Sequence, residues 1–600
     1  MQVARAVLRA ICYFRYSIVR VKHIMQGKTG CPVYLSPLVI GVTGHRDLVA
    51  NEIDGIRLRI AALIDELQRQ FPNTPIRMMT ALAEGADRIA ATAALDSGLE
   101  VQAILPMPAE EYLKDFDSAE SKAEFNSLCE RCEVLTLPIA GEPSNNDEIR
   151  GADRDLCYAN AGMFISAHCH ILLAIWDGRH SESLGGTSQI VYFQHFDRLP
   201  GIAESVPRTS LFLTDDESDL VYHISCSRVR EPDEPKVLEP LQYSWFTTDP
   251  DVPRDRSMPR RYVDVFNRAD EFNADVQRFL KKQDELTSSE ASPPDTRMRE
   301  PSMRVRNTFD IADVLANHFQ KRVDVTLAAI YTLAFLAGLT FMLYSEVSDL
   351  QPLIYAFLAS LLLGLVLATL AKKRQWHRKY LDYRVLAEGL RVQYYRSIAG
   401  IHGEGHTKFA YDNFLRQRDM ELGWIRNVMR AAGILTDAQP ADESDDGLRF
   451  AIDNWIGSKE RPGQLEYYRS KSLQRMKMNR LTDIVTLACL WGGIVVACLL
   501  AFFLTDIGND KRDSLIILMG VLPLIAGIAE VYTQRKADRE LTKQYQFMEN
   551  VFSNARRRLK EATNNTERRE VLQGLGDAAL SEHAEWILVH RERQPEPAGL

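Results

Sequence analysis

Apolar positions follow two different patterns along this chain, and the change falls near Val323. Before it, short apolar runs alternate with helix-periodic stretches. After it, apolar residues gather into long blocks. Val325–Tyr344, Pro352–Ala371 and Ile484–Leu504 hold no charged residue, and an α-helix needs ~20 apolar residues to cross a bilayer core of ~30 Å. A fourth block, Ser514–Ala529, contains Pro523 and Gly527 and reaches spanning length only with the residues through Thr533. The expected spans are therefore 325–344, 352–371, 484–504 and 514–533, paired into two hairpins through Ser345–Gln351 and Thr505–Asp513. Cations collect at the opposite ends: Lys321 and Arg322, Lys372 to Arg374, Lys471 to Arg480, and Arg535 to Arg539. That bias predicts that both termini and the central segment are cytoplasmic. The span interiors carry no Asp, Glu, Lys or Arg, which argues against an ion-coupled transporter. Gly338, Gly364, Gly492, Gly493 and Gly520 allow close helix approach.

Two spans are expected to run on as cytoplasmic stalk helices within 372–483 and 534–590. Trp376, Tyr380, Tyr383, Ala387, Leu390, Tyr394 and Ile398 form one stripe, and Leu541, Tyr545, Met548 and Phe552 another. Such stripes suit packing in a helical bundle. Asp382, Arg384, Glu388 and Arg391 lie between stripe positions and read as surface ion pairs of small worth.

The first half carries a different architecture. Strands are expected at Leu38–Gly41, Ile76–Met79, Val101–Leu105, Val134–Leu137 and Ile171–Trp176, with Val221–Ser225 as the last edge strand. Helices are expected between them at 48–71, 85–96, 118–129, 151–167 and 188–196. This alternation implies an α/β Rossmann-like parallel sheet over 37–230. Residues 231–303 read as a linker, rich in proline between Pro232 and Pro259, with one helix at Tyr262–Lys281. An all-α membrane module then fills 304–600. Residues 1–36 are basic but lack an unbroken apolar core and a cleavage site, so they do not read as a signal peptide. An amphipathic surface helix and a start at Met25 are both compatible with them, and no function is assigned.

Ligands of doubly wound sheets sit at the carboxyl ends of the strands, which selects three loops. The first strand leads into Gly41-Val42-Thr43-Gly44-His45-Arg46-Asp47, where glycines let backbone N–H groups approach an anion, Arg46 can hold a phosphate, and Asp47 reads as a helix N-cap. The second ends near Glu84-Gly85-Ala86-Asp87. The fifth ends in Trp176-Asp177, followed by Gly185-Gly186-Thr187 opening a helix. Gly41, Thr43, Gly44, His45, Arg46, Glu84, Gly85, Asp87, Trp176, Asp177, Gly185, Gly186 and Thr187 are therefore the candidate ligand-binding set, and a phosphate-bearing ligand is the expectation.

The GHRD, EGAD and GGT turns resemble those of the SLOG superfamily, relatives of the DNA-processing protein DprA and the LOG phosphoribohydrolases. That resemblance implies a domain binding nucleotides or nucleotide-derived messengers. LOG enzymes carry PGGxGTxxE, whose glutamate serves hydrolysis. Here the sequence is Leu184-Gly185-Gly186-Thr187-Ser188-Gln189-Ile190, without that glutamate, which favours a sensor over an enzyme and leaves no catalytic residue assigned. The second half is similar to the SLATT group of membrane effectors of bacterial conflict systems, through Ala312-Asp313, Lys321-Arg322, Tyr383-Arg384-Val385-Leu386-Ala387-Glu388 and Glu585-Trp586. The resemblance implies a homo-oligomeric, nucleotide-gated effector in a bacterial inner (plasma) membrane, acting in antiphage defence. A membrane-tethered nucleotide hydrolase or N-glycosidase, and a nucleotide-regulated channel, are the alternatives.

Composition narrows this further. A net charge of −9 gives no general affinity for nucleic acid. The mean hydropathy of −0.20 hides the blocked apolar runs. The nine cysteines suggest no disulfide framework. Cys129 and Cys132 have CxxC spacing without a second pair, His168 to His170 fall at a helix-to-strand junction, and His402 to His406 form a glycine-rich turn. None is expected to hold a metal.

Overall fold

A β-strand buried on both faces must be covered on both faces, and strands with that pattern open the chain. The computed structural model describes residues 35–139, 151–181, 184–199, 218–230, 237–284, 300–346, 350–401, 411, 414–415, 420–438, 445–458, 461–503 and 509–591. The expectations for the N-terminal extension, for most of the 288–303 linker and for the His402–His406 turn fall outside these residues. Two compact units are present, Met1–Ile311 with Gly389–Glu443, and Ala312–Glu388 with Ser444–Leu600.

In the first unit, β1 (Leu38–Gly44), β2 (Ile76–Thr80), β3 (Glu100–Leu105), β4 (Glu133–Thr136), β5 (Ile171–Trp176), β6 (Val221–Ser225) and β7 (Tyr243–Phe246) form one sheet in the order β4-β3-β2-β1-β5-β6-β7. All pairings are parallel except β6 with β7. The Rossmann-like alternation is thus present. Its edge differs from the expectation: β6 is interior, and β7 lies inside the proline-rich stretch read as linker. Tyr243–Phe246 is too short to stand out as a strand, and its pairing with β6 and the bridge from Trp245 to Asp255 fix it from outside.

The helices of this unit are α1 (Ile53–Gln70), α2 (Ala86–Asp96), the short α3 (Ala109–Tyr112), α4 (Ala119–Arg131), α5 (Ala152–His168), α6 (Thr187–Phe196) and α7 (Arg260–Asp284). Side chains alternate along β1. Gly41 meets Ile165 and Cys169 at the end of α5, whereas Gly44 meets Ala86 of α2, so the two helices cover opposite faces. The α5 face also takes Ile190 and Val191 of α6 and, from far along the chain, Ala431 and Ile434 of α11 (Gly423–Asp437). His170, driven down to about 3 by burial and by the Arg430 charge, is a neutral core histidine. It accepts from Val39 N–H at 3.0 Å and donates to the Asn427 carbonyl at 3.0 Å. On α7, Asp270 accepts from the Asn73 amide at 2.8 Å and the Thr74 hydroxyl at 2.9 Å, closing the amino-terminal end of the sheet.

Two of the chain's three passages between units lie inside continuous helices, α8 (Glu300–Glu346) and α10 (Trp376–Ile398). The second unit adds α9 (Gln351–Lys373), α12 (Asp445–Ala451), α13 (Gln464–Phe503), α14 (Asn509–Lys536), α15 (Asp538–Glu561) and α16 (Asn565–Arg591). Four of its helices are long and apolar enough to cross a membrane: Ser302–Glu346, Gln351–Lys373, Gln464–Phe502 and Arg512–Lys536. This is consistent with a membrane protein. The proline-bearing fourth span packs against both α8 and α13: Gly338 of α8 approaches Leu524, Gly520 approaches Met342, and Gly493 approaches Pro523. Span α9 has no buried residue of its own.

The stalks differ from expectation in two ways. Neither α9 nor α14 runs on unbroken. A single residue with positive φ intervenes each time, Gln375 (50°) and Ala537 (51°), and a new helix starts after it. The charged positions of α10 are also not at the surface. Asp382 is fully buried and Glu388 nearly so. The Arg384 guanidinium reaches Asp313 of α8 at 3.0 Å and Glu388 at 2.8 Å, while Arg378 and Arg591 bind Asp382 at 3.0 and 3.1 Å. Helix α10 is covered on several sides, so stripe and interstripe positions alike go inside.

Removing the cation takes a close counter-charge from the buried Glu388, while Asp313 stays partly exposed and hydrogen-bonded to Asn317, so the cost is at most about 3–5 kcal/mol. Arg384→Met is expected to lower the thermal midpoint of the detergent-purified full chain. Exchanging Asp313 and Glu388 for leucine in the same variant is expected to restore most of it. An unchanged midpoint in the single variant would contradict the cluster.

Candidate functional site

The sheet winds outward in both directions from β1: β2 lies on one side and β5 on the other. The crevice at such a switch point opens at the carboxyl ends of those strands. The turn Gly44-His45-Arg46 leaves β1 there, and the other two predicted turns close on it.

The turn after β2 is fixed by backbone contact. Ala86 N–H donates to the His45 carbonyl at 3.1 Å. A Cβ on Gly85, whose φ is +81°, would stand 2.4 Å from the Arg46 carbonyl oxygen, and one on Gly44 would stand 2.3 Å from the Ala86 Cβ. Both glycines are therefore required for α2 to seat against β1. Asp87 is buried beneath this junction and accepts from the Ala81 N–H at 3.2 Å. Burial pushes its carboxyl up to about 6, against hydrogen bonds from Thr80, Ala83 and Ala81 and the positive charge of Arg46. Glu84 accepts a short hydrogen bond from the Ser121 hydroxyl.

From β5, the Asp177 N–H donates to His45 Nε2 at 3.2 Å, and Asp177 Oδ1 lies 3.2 Å from the same nitrogen. One nitrogen cannot accept from the amide and donate to the carboxylate at once. The two contacts are therefore alternatives, the amide donating to a bare Nε2 or an Nε2–H donating to the carboxylate, set by which ring nitrogen carries the hydrogen. Burial alone would raise the Asp177 carboxyl. His45, the Arg179 N–H donating at 3.0 Å, and the charge of Arg228 outweigh it and hold that carboxyl below the usual range. Trp176 is buried at the strand end, and its indole N–H finds no acceptor among the described residues.

The third turn closes through α5. Gly185 (φ +72°) would place a Cβ 2.9 Å from the Ala159 backbone nitrogen, so only glycine fits. Gly186 is the N-cap of α6 and has no side chain with which to cap the first-turn N–H groups at Thr187 and Ser188. One residue earlier on α5, the Tyr158 ring lies under the Arg46 guanidinium at 4.9 Å. Tyr158 in turn donates to Asp115, which takes Arg154 Nε at 2.7 Å. Arg46 is thereby held by its face and stays exposed at its edge, the side that binds an oxyanion.

Of the predicted residues, Thr43, Gly44, His45, Arg46, Gly85, Asp177 and Gly185 to Thr187 thus gather at one rim with the buried Asp87 beneath. Gly41 does not belong to it: β1 extends to Gly44, which leaves Gly41 within the strand against α5. Asp47 is not an N-cap either, since Val49 precedes the first helical turn. Its carboxylate instead takes Arg228 Nε at 3.1 Å. Sequence reasoning missed Tyr112, Asp115, Arg154 and Tyr158. The i, i+4 pair of Arg154 and Tyr158 on α5 was the available signal. Tyr112 is fully buried against Phe116, Phe125 and Tyr158, with its hydroxyl unpartnered among the described residues and held protonated by desolvation.

Cys129 and Cys132 are free, half-buried thiols, with Cys132 pushed up to about 11 by burial and its neighbour Cys129. His168 Nε2 lies 3.1 Å from Asp437 Oδ2, a structural contact. Among known proteins, no family model matches this chain and no curated protein matches it.

The Asp87 carboxyl titrates near 3.8 when unfolded and about 6 when folded. Between those values the unfolded chain has released a proton that the folded chain keeps, so this group makes stability fall as pH rises through the window. Asp177 acts oppositely: its contribution is present above the ordinary carboxylate range and is lost as pH falls. Asp87→Asn is expected to abolish the decline and to stabilise the chain by ~2–3 kcal/mol at most near neutral pH. Thermal midpoints of the full chain across this range would show it; an unaltered pH slope would remove Asp87 as its source.

Proposed function

We propose that the sheet unit senses a nucleotide or nucleotide-derived messenger and that the helical unit acts on a membrane in response. The observation that carries this reading is the convergence of three glycine turns on one rim, with an arginine held by its face and a helix N-terminus whose N-cap is a glycine on that rim. Guanidinium and aligned amides together suit a phosphate. The indole N–H of Trp176 and the hydroxyl of Tyr112 are further donors without a partner among the described residues. Resemblance to SLOG domains supports the same ligand class. The SLATT resemblance supports the effector role, and the residues that carry it, Asp313, Arg384 and Glu388, form one ionic cluster.

Binding without turnover is favoured over hydrolysis. The LOG glutamate is missing, and the acids near the rim are engaged, Glu84 by Ser121 and Asp177 by His45 and Arg179. A ligand shifts the membrane unit only through unequal affinity for two states of the chain, and continuous helices such as α8 and α10, each with residues in both units, suit that coupling. The basic residues flanking the spans support a cytoplasmic side for both termini, and the SLATT resemblance supports a bacterial inner membrane, where an antiphage effector would meet its messenger. A nucleotide-regulated channel is the variant of this reading in which opening is selective rather than destructive.

Mass spectrometry of nucleotides retained by the purified full chain tests the proposal directly. A phosphorylated species is expected with the native chain. Arg46→Ala is expected to reduce its affinity ~10–100-fold, the value of a charged hydrogen bond, while membrane insertion is unaffected. In vesicles, the ligand is expected to trigger dye release by the native chain only. Turnover of the retained species would instead favour the hydrolase, and equal leakage with and without it would defeat the sensor.

A further inference from the structure

At the cytoplasmic end of the fourth span, Val531, Thr533, Gln534, Arg535, Arg539 and Glu540 line a groove of about 590 Å³. It straddles the break at Ala537: four of these residues end α14 and two begin α15. Its lining changes character along its length. Val531, nearly half exposed, belongs to the apolar span, and the two arginines follow one and two turns later. Both carboxylate contacts of Arg539, Asp483 at 2.8 Å and Glu530 at 3.6 Å, run through Nη2, so Nε and Nη1 remain without an acceptor among the described residues. Arg535 reaches the Tyr331 hydroxyl. Gln534 donates to Glu530 at 3.2 Å, and the Thr533 hydroxyl donates back to Ala529 at 2.9 Å, leaving oxygens of both side chains able to accept.

We infer that this groove binds the headgroup of an anionic phospholipid. The phosphate sits between Arg535 and Arg539, headgroup hydroxyls face Thr533, Gln534 and Glu540, and the glycerol backbone rests on Val531. Glu540 disfavours a compact polyanion but accepts from a hydroxyl, which matches a hydroxylated, singly charged headgroup such as that of phosphatidylglycerol. A lipid is the fitting source because the groove lies where an apolar helix leaves the bilayer, at the depth of the phosphates, where their local concentration is high. The inference rests on the four apolar helices spanning a bilayer and is independent of any ligand at the sheet rim.

The test is native mass spectrometry of the full chain purified in detergent and supplied with phosphatidylglycerol or phosphatidylcholine. Retention of phosphatidylglycerol in preference to phosphatidylcholine is expected. Arg535→Gln with Arg539→Gln is expected to weaken it about 25-fold, at about fivefold per basic residue. Val531→Trp fills the groove without touching a charge and is expected to weaken it as well, whereas Arg535→Lys with Arg539→Lys keeps most of the binding. Equal retention of both lipids, or undiminished retention in both the Gln pair and the Trp variant, overturns the inference. Displacement by glycerol phosphate at matched concentration also overturns it, since a soluble phosphate would then suffice.

Discussion

Everything in the sheet unit follows from the need to cover both faces of a parallel sheet. The central strands offer no solvent-facing side: β1, β2, β5 and β6 are buried almost throughout. Helices α1 and α2, close to them in sequence, seal one face. The other takes α5 and α6 and then draws in α11, whose Ala431 and Ile434 join the same apolar cluster as Val39 and Leu172. With the faces sealed and the amino-terminal end tied to α7, the carboxyl edge of β1 and β5 is where the sheet presents backbone to a ligand.

Strand–helix alternation and the apolar blocks were legible because both are periodic signals carried by many residues. What escaped the sequence depends on who the neighbour is. An amphipathic helix such as α11 looks the same whether it covers a sheet or joins a bundle. In α10 the interstripe charges resembled a solvated face, yet Asp382 and Glu388 are buried because α8 and α16 supply partners for that face. The four-residue β7 carries too little pattern to outweigh its surrounding prolines.

The glycines of the site teach a narrower lesson. A glycine after a strand suggests backbone approach to phosphate, and three such turns do meet. Yet Gly44, Gly85 and Gly185 make room for Ala86, for the Arg46 carbonyl and for the Ala159 backbone. They allow protein to approach protein, and it is that closeness which positions Arg46 over Tyr158. The outward-facing Arg46 rests on a side chain from α5 that no glycine motif announces.

One feature of chain layout reaches further. The sheet unit is assembled from two stretches separated by Ala312–Glu388, with Ile434 and the Asn427 carbonyl returning to complete a core begun by Val39 and His170. A recombination event exchanging only the leading stretch would leave an incomplete hydrophobic layer and an Asn427 carbonyl without its imidazole. The two halves of this protein are therefore poorly suited to trading as interchangeable cassettes, and their lineages should have diverged together.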